Sequence, residues 1–273
     1  MIITKAIIPV AGWGTRRLPI TKAIEKAMLP IGNRPLVDYV VQDCIEAGIR
    51  DIYFVVGETS TQLQDYYSDN EPLNDYLQAN GKADRIAEVM PPPDVTFHYV
   101  IQPQDGTYGT AIPVSLVVPE LAVSESVVVL MGDDFIYNAD GSSEVARLLA
   151  ATPENGNAML GVNIAPADVS RYGVLELNGN NEFVRIVEKP AVEDAPSALI
   201  NVSKYVLNYD VLQGIAAFSQ RQHEGEYYIT DPINAYVARG GVVTVVEAQG
   251  KYLDGGTVEG WLHANNVVAG TLD

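Results

Sequence analysis

A glycine-rich turn followed by basic residues is the part of the sequence whose residue types most clearly suggest chemistry. The segment GWGTRR (12–17) follows an apolar run, and four basic residues lie between Arg16 and Lys26. Glycine has no Cβ, so the backbone at Gly12 and Gly14 can approach a phosphate closely. Arginine offers a planar fork to phosphate oxygens, and lysine a compact charge. The turn therefore predicts a phosphate site, the alternative being a solvated basic face.

Two widespread phosphate-binding motifs do not describe this turn. The dinucleotide motif GxGxxG needs a third glycine after Gly14, and the chain continues with Thr-Arg-Arg-Leu-Pro instead. The P-loop pattern, GxxxxGK followed by Ser or Thr, is absent as well. Because the third glycine allows close packing of helix on strand, its loss argues against an NAD-dependent oxidoreductase.

A carboxylate follows another apolar run and could hold a metal ion. Asp133 comes just after SVVVLM (126–131), where the carboxyl end of a parallel strand would place it at a cleft. Magnesium prefers hard oxygen ligands and keeps waters beside substrate phosphates. Asp133 is therefore a candidate metal ligand, although an aspartate at a strand end can also serve only to form a turn.

The elements that would position these residues follow from the hydrophobic pattern. Short β-branched runs alternate with helical patterns, which predicts a mostly parallel sheet flanked by helices. Between the first two runs, PLVDYVVQDCIEAG (35–48) has its apolar residues on one side and ends near a glycine, as expected of a crossover helix. The predicted strands are 5–10, 51–56, 96–101 and 126–131.

The second half of the chain has a different pattern of predicted strands and helices. Two strand-like runs flank Gly179, Asn180 and Asn181, which predicts a β-hairpin. We expect one domain over 1–273 with a cleft between a lobe at 1–155 and a smaller α+β lobe at 156–273. Further strands are predicted at 197–208 and 242–248, with a helix at 230–241.

Composition limits the partners. The 273 residues are 47% hydrophobic and 19% charged, which suits one globular body with a large core. The formal net charge of −18 argues against nucleic acid or an anionic membrane, because both require Lys and Arg in excess on one face. The single cysteine, Cys44, predicts a core residue in a reducing cytoplasm, and no apolar run is long enough to span a membrane.

The segment AGWGTRRLPITKAIEKAMLP (11–30) resembles the signature of the sugar-1-phosphate nucleotidylyltransferases, and TKAI with MLP is most similar to the bacterial glucose-1-phosphate uridylyltransferases. Further motifs of that family occur in its order through nearly the whole chain: IQPQDGTYGTA (101–111), GDD (132–134), YGV (172–174), VEKP (187–190), EYYITD (226–231) and YLDGGT (252–257). The resemblance implies a Rossmann-like nucleotide-diphospho-sugar transferase fold whose smaller lobe binds the sugar.

The implied reaction is transfer of a uridylyl group from UTP to glucose 1-phosphate with Mg²⁺, by in-line attack and release of pyrophosphate. Joining two polyanions requires charge neutralisation and alignment of the attacking and leaving oxygens. The resemblance leaves open dTTP or another hexose 1-phosphate, and it implies a homodimer or homotetramer. Readings from other classes are a glycosyltransferase, whose DxD spacing GDDF lacks, and an inactive nucleotide-sugar sensor.

The resemblance also implies roles for particular residues. Arg16 would stabilise the departing pyrophosphate, and Lys26 would contact phosphate at the reacting centre. Asp133 and Asp254 would bind the metal ion. The nucleotide would contact Ala11, Gly12, Gly14, Thr15, Gln102, and Gly106 or Thr107, and the sugar phosphate Gly173, Glu188, Lys189 and Asn201.

Some positions depart from the family pattern. Glu25 and Ala27 flank the signature lysine where Pro-Lys-Glu is usual, and Ser203 stands in place of a glycine near the sugar. Glu188 and Lys189 alternate along a strand, so both reach one ligand only if the chain bends before Pro190. Uracil and thymine present the same edge to an amide such as that of Gln102, so this contact does not separate UTP from dTTP.

Overall fold

The computed structural model describes residues 2–179 and 182–271. Its strands are β1 (Lys5–Pro9), β2 (Pro30–Ile31), β3 (Arg34–Pro35), β4 (Asp51–Gly57), β5 (Thr96–Gln102), β6 (Val127–Leu130), β7 (Asp134–Tyr137), β8 (Asn157–Asn163), β9 (Gly173–Leu177), β10 (Phe183–Glu188), β11 (Leu199–Leu207), β12 (Val243–Glu247) and β13 (Lys251–Asp254). Its α-helices are α1 (Leu36–Glu46), α2 (Gln62–Tyr66), α3 (Glu71–Ala79), α4 (Ala111–Val117), α5 (Glu144–Ala151), α6 (Tyr209–Ser219), α7 (Thr230–Ala238) and α8 (Val258–Val268).

The four apolar runs of the first half form adjacent parallel strands. Strand β1 pairs with β4 and β6, and β4 pairs with β5, all in parallel. These strands are almost continuously apolar because helices cover both faces of the sheet. Their carboxyl ends lie together along one edge, where ligands bind in open α/β sheets.

The second half extends the same sheet. Strand β11 pairs antiparallel with β6 and with β8, and it also contacts β9. Within the described residues the sheet runs β10-β9-β11-β6-β1-β4-β5, with β8 bridging β11 and β12. The predicted fold class, a mostly parallel mixed α/β sheet flanked by helices, is confirmed. The lobe boundary near residue 155 stays a prediction, since one sheet spans it.

The local predictions can be followed element by element. The crossover helix predicted at 35–48 is α1, whose side chains on one face are all buried: Leu36, Val37, Val40, Val41 and Cys44. Burial of each Val or Leu side chain contributes about 1.5–3 kcal/mol, which ties this helix to the sheet. The predicted hairpin strands are β9 and β10, paired antiparallel. Its turn residues Asn180 and Asn181 lie outside the described residues.

A small second sheet has no counterpart in the sequence predictions. Strand β7 follows Asp133 directly and pairs antiparallel with β13, which places Asp254 opposite Asp134. Two regions distant in sequence therefore carry acidic residues to the same point. The helix that follows, α8, begins after Thr257, whose hydroxyl caps the amide of Gly260 at 3.0 Å.

Candidate active site

A cleft of about 940 Å³ opens at the carboxyl edge of the parallel strands. Its size is in the range of sites that bind a nucleotide-sized ligand. Gly14 and Thr15 are the predicted site residues that do not line it. Those that do are Ala11, Gly12, Arg16, Lys26, Gln102, Gly106, Thr107, Asp133, Gly173, Glu188, Lys189, Asn201 and Asp254.

The signature loop folds into a short 3₁₀ turn at Thr15–Arg17 after Gly14, whose φ is +66°. A Cβ on Gly14 would lie 2.8 Å from the Cβ of Lys26, so this glycine leaves room for the lysine. Arg17 is buried, with 2% of its surface exposed, and donates to the carbonyl of Lys26 at 3.3 Å. Arg17 thus supports the loop from below while Arg16 remains in the cleft.

Lys26 occupies the centre of the site. Its Nζ donates to Oδ2 of Asp133 at 2.8 Å, and its side chain passes so close to Gly12 that a Cβ there would meet Nζ at 3.1 Å. The positive charge of Lys26 is the largest influence on Asp133 and holds the pKa of that carboxyl below its usual value, with Arg17 adding to the effect. Asp133 is therefore a carboxylate at neutral pH.

Glu25, one of the departures from the family pattern, fixes the loop from outside the cleft. Its two carboxylate oxygens accept hydrogen bonds from the hydroxyl of Ser60 at 2.6 Å and from the amides of Thr61 and Gln62 at 2.9 and 3.0 Å. The side chain of Gln62 in turn accepts from the amide of Glu25 and donates to the carbonyl of Ala23. Glu25 thus joins the segment before Lys26 to the start of α2.

Asp254, at the end of β13, faces the same cleft. Its Oδ1 accepts from the amide of Gly256 at 2.7 Å, and its Oδ2 accepts from the hydroxyl of Tyr172 at 3.2 Å. Arg171 approaches the carboxylate at 3.8 Å and is more than half exposed. Burial raises the pKa of Tyr172 to about 12, and the negative charge of Asp254 adds to this rise. The phenol therefore stays a donor to Asp254.

The donor set at this point suits magnesium. Within residues 2–179 and 182–271, no group of three or more His, Cys, Asp or Glu side chains is arranged to hold a metal ion. A site built by the protein alone is thus absent from the part of the chain that is described. Magnesium is commonly held by one or two carboxylates together with substrate phosphates and water. Asp133 and Asp254 supply two hard oxygen donors of this kind on the cleft wall.

A buried ion pair lies beneath the two carboxylates. Lys204, on β11, has 1% of its surface exposed and donates to Oδ1 of Asp134. Tyr252 donates to the other oxygen of Asp134 at 3.1 Å. Burial raises the pKa of Asp134 to about 6, and the charge of Lys204 opposes that rise. Sequence reasoning missed Lys204, and the available signal was a lysine inside an otherwise apolar strand, which must find a partner.

The opposite end of the cleft carries the residues assigned to the sugar. Glu188 is the last residue of β10, and the hydroxyl of Thr230 donates to its Oε1 at 2.8 Å. Burial raises the pKa of Glu188. Lys189 follows with a φ of +44°, so the chain bends where the sequence required it, and both side chains line the cleft. A Cβ on Gly173 would lie 3.1 Å from Glu188, so this glycine keeps the space beside the carboxylate open.

The wall assigned to the base follows β5. Gln102 ends this strand, and Gly106 has a φ of +91° with open space around it. Trp13 is 67% exposed and donates from its indole to the side chain of Gln104 at 2.9 Å, so it belongs to the cleft wall rather than the core. The backbone amide of Gln104 in turn donates to Glu58 at 3.1 Å.

The mostly parallel mixed sheet, flanked by helices and with the cleft at its carboxyl edge, is a nucleotide-sugar transferase fold. The chain belongs to the nucleotidyl transferase family, whose sequence model matches residues 5–270. It is 34% identical to the UTP–glucose-1-phosphate uridylyltransferase of Staphylococcus epidermidis strain RP62A, over 85% of this chain and 80% of that one. It is 31% identical to the enzyme of the same name from Pseudomonas aeruginosa, over 97% and 95%.

Solved structures agree with the sequence relatives. A UTP-bound UGPase from Acinetobacter baumannii superposes with a TM-score of 0.87 at 27% identity, covering 98% of this chain and 93% of that one. A UDP-glucose pyrophosphorylase in complex with UDP-glucose gives 0.83 at 29% identity, covering 99% and 100%. Among the residues described, no helix is both long and apolar enough to cross a membrane.

Proposed function

We propose that the protein transfers the uridylyl group of UTP to glucose 1-phosphate, giving UDP-glucose and pyrophosphate. The observation that carries this proposal is the position of Lys26, whose ammonium lies 2.8 Å from Asp133 between the glycine turn and the sugar end of one cleft. The choice of UTP and glucose 1-phosphate is supported by the names of the relatives. Thymidylyl transfer and another hexose 1-phosphate are the alternatives.

The nucleotide lies along the signature loop in this proposal. The backbone at Ala11 and Gly12 approaches the phosphates, and Arg16 stabilises the charge that develops on the departing pyrophosphate. Gln102 pairs with the edge of the uracil through its amide, which offers one donor and one acceptor. The backbone of Gly106 or Thr107 completes the base contact. The first half of the chain therefore holds the leaving group and the base.

The attack proceeds in line. An oxygen of the glucose 1-phosphate forms a bond to the α-phosphorus of UTP as the bond from that phosphorus to the pyrophosphate oxygen breaks. Lys26 neutralises the two phosphates as they approach, because its ammonium is a compact charge that can contact both. Before substrates bind, Asp133 keeps this ammonium in place. The lysine thus contributes to alignment as well as charge.

Asp133 and Asp254 are proposed to hold Mg²⁺. The ion supplies charge neutralisation of the triphosphate and a template for its orientation. Glu188 accepts hydrogen bonds from hexose hydroxyls, and Lys189 pairs with the phosphate of the sugar, while Gly173 leaves room for the ring. The sugar and its phosphate are therefore held from the second half of the chain.

The test is pyrophosphate release over a panel of nucleoside triphosphates and sugar 1-phosphates, with and without Mg²⁺. We expect UTP with glucose 1-phosphate to give the highest kcat/KM and release to require the metal. Release from no pair would refute the proposed function, and a preference for dTTP would move it to thymidylyl transfer.

The residue assignment has its own test. Lys26→Ala should fold and lose about 100-fold or more in turnover, the magnitude typical of removing one charge-stabilising group. Lys22→Ala is the matched control, because Lys22 is an exposed lysine of the same loop that does not line the cleft. Full turnover in Lys26→Ala would remove the central residue of the proposal.

Oligomeric state and location remain predictions. We propose a homodimer or homotetramer, which light scattering at micromolar protein concentration would test, and a monomer would contradict it. We also propose that the protein is cytoplasmic, as the sequence predicts.

A further inference from the structure

Ser203, like Lys189, is a non-glycine residue of the cleft whose backbone has a positive φ. It lies in β11 with a φ of +52°, in the left-handed region where glycine is favoured and serine is uncommon. Non-glycine residues in this region are strained, and such strain concentrates at binding sites. A serine kept here in the cleft wall therefore indicates a use for its hydroxyl.

A bulge in β11 stabilises this backbone conformation. The register of β11 against β8 shifts between Asn201 and Tyr205, where extra residues of β11 bulge out of the ladder. Oδ1 of Asn201 accepts from the amide of Ser203 at 3.1 Å, and its Nδ2 donates to the phenol of Tyr205 at 2.5 Å. A bulge of this kind re-aims side chains, here turning Ser203 toward the cleft and Lys204 beneath it.

These contacts bear on Asn201, which the sequence analysis assigned to the sugar phosphate. Asn201 is 8% exposed, and both its amide oxygen and its amide nitrogen already form hydrogen bonds within the bulge. Asn201 therefore acts mainly on Ser203, by fixing the backbone that presents it. The hydroxyl of Ser203 donates toward the phenol of Tyr205, which leaves its acceptor lone pairs for a ligand in the cleft.

Ser203 stands between the two ends of the site. Its carbonyl accepts from the amide of Met131 at 3.2 Å, two residues before Asp133, and its other neighbour in the bulge, Tyr205, lies within electrostatic reach of Glu188. In the proposed complex the sugar phosphate contacts Lys26 at the Asp133 end, Lys189 reaches it from the Glu188 end, and the ring hydroxyls lie beside Glu188. The part of the sugar between them is the carbon that bears the phosphate and its neighbour, C2.

We infer that Ser203 is a specificity-determining residue that hydrogen-bonds the hydroxyl at C2 of the hexose 1-phosphate. The inference rests on the proposed function and adds a contact that selects among sugars. Glycine at the same place would be unstrained but would carry no hydroxyl. Removal of the side chain therefore relieves strain and loses discrimination together.

The test compares glucose 1-phosphate with 2-deoxyglucose 1-phosphate, each with UTP, in the wild type, Ser203→Ala and Ser203→Gly. We expect the ratio of kcat/KM for the two sugars to fall by about threefold to tenfold in both variants, the value of one neutral hydrogen bond. Ser203→Gly should keep or raise the melting temperature, since it removes the left-handed strain. A residue with only a structural role would change stability and leave the ratio intact.

Ser124→Gly is the matched control. Ser124 also has a positive φ, +69°, but it is exposed in a loop away from the cleft. This variant should relieve comparable strain and leave the sugar ratio unchanged. An unchanged ratio in both Ser203 variants would overturn the inference while the proposed function stands. If the wild type releases pyrophosphate from neither sugar, the proposed function fails and the inference falls with it.

Discussion

Replacement of Glu25 by alanine should separate the stability of the signature loop from the position of its lysine. Glu25 accepts three hydrogen bonds, from Ser60, Thr61 and Gln62, and it immediately precedes Lys26. Truncation removes both acceptor oxygens, and with them all three hydrogen bonds. The two hydrogen bonds of the Gln62 side chain to Ala23 and to the backbone of residue 25 then remain between the loop and α2.

The size of the effect follows from these bonds. At about 0.5–1.5 kcal/mol of net stability for each hydrogen bond, loss of three lowers the free energy of unfolding by about 1.5–4.5 kcal/mol. The donors are partly exposed, so water replaces the carboxylate in part and the lower half of that range is expected. A loss of about 2 kcal/mol corresponds to a fall of about 4–8 °C in melting temperature for a chain of this size.

Turnover should fall further than stability explains. Displacement of a catalytic group by about 1 Å can reduce the rate by about 100-fold, so freeing the segment before Lys26 should lower kcat by about 10- to 100-fold. The KM for UTP should change little, because Gln102 and Arg16 lie on other parts of the wall. Initial rates of pyrophosphate release well below the melting temperature, with urea unfolding alongside, measure both quantities.

The control for this experiment is Asp43→Ala. Asp43 accepts from the hydroxyl of Ser143 at 2.5 Å and the amide of Val145 at 3.1 Å, so it joins α1 to the start of α5 in a comparable way, away from the cleft. It should lose similar stability and keep its kcat. If Glu25→Ala also kept full kcat despite its loss of stability, the reasoning that Glu25 positions Lys26 would be refuted.

Two further predictions concern the loop after β5 and the sugar carboxylate. Gly109 has a φ of +125°, and a Cβ there would overlap the backbone of Tyr227, whereas a Cβ on Gly106 would meet open space. Gly109→Ala should therefore lower the free energy of unfolding by about 2 kcal/mol more than Gly106→Ala does. Equal losses in denaturant unfolding would contradict this. Burial raises the pKa of Glu188, so its stabilising contribution is complete below about pH 4.3 and is lost as pH rises through the raised folded value. Glu188→Gln should flatten that loss in urea unfolding between about pH 4 and 7, and parallel curves would argue against it.

Much of the sheet was readable from the sequence because its strands are buried on both faces. The runs at 5–10, 51–56, 96–101 and 126–131 became β1, β4, β5 and β6 within a residue or two at each end. The pairing of β11 with three different strands was not readable, since it depends on a bulge whose geometry is set by tertiary hydrogen bonds. The β7–β13 sheet was missed for a related reason, because its two short strands lie far apart in the chain.

In the site, too, some residues could be predicted from the sequence and others could not. Thirteen of the predicted residues line one cleft, since a long ordered motif fixes which side chains face a ligand. The roles of Arg17, Lys204 and Tyr172 were not predicted, because a supporting residue is defined by what it touches and not by the motif it belongs to. Gly14 illustrates the reverse case, since it belongs to the motif but serves to make room for Lys26.

The continuity of the central sheet limits how this protein can be divided. Strand β11 pairs along one edge with β6 of the first half and β9 of the second half, and along the other edge with β8 of the second half. A chimera joined at residue 155 to a relative would have to match both edges of this strand at once. We therefore expect sugar preference to be transferable from a relative through individual cleft residues and loops, and not by recombining the two halves.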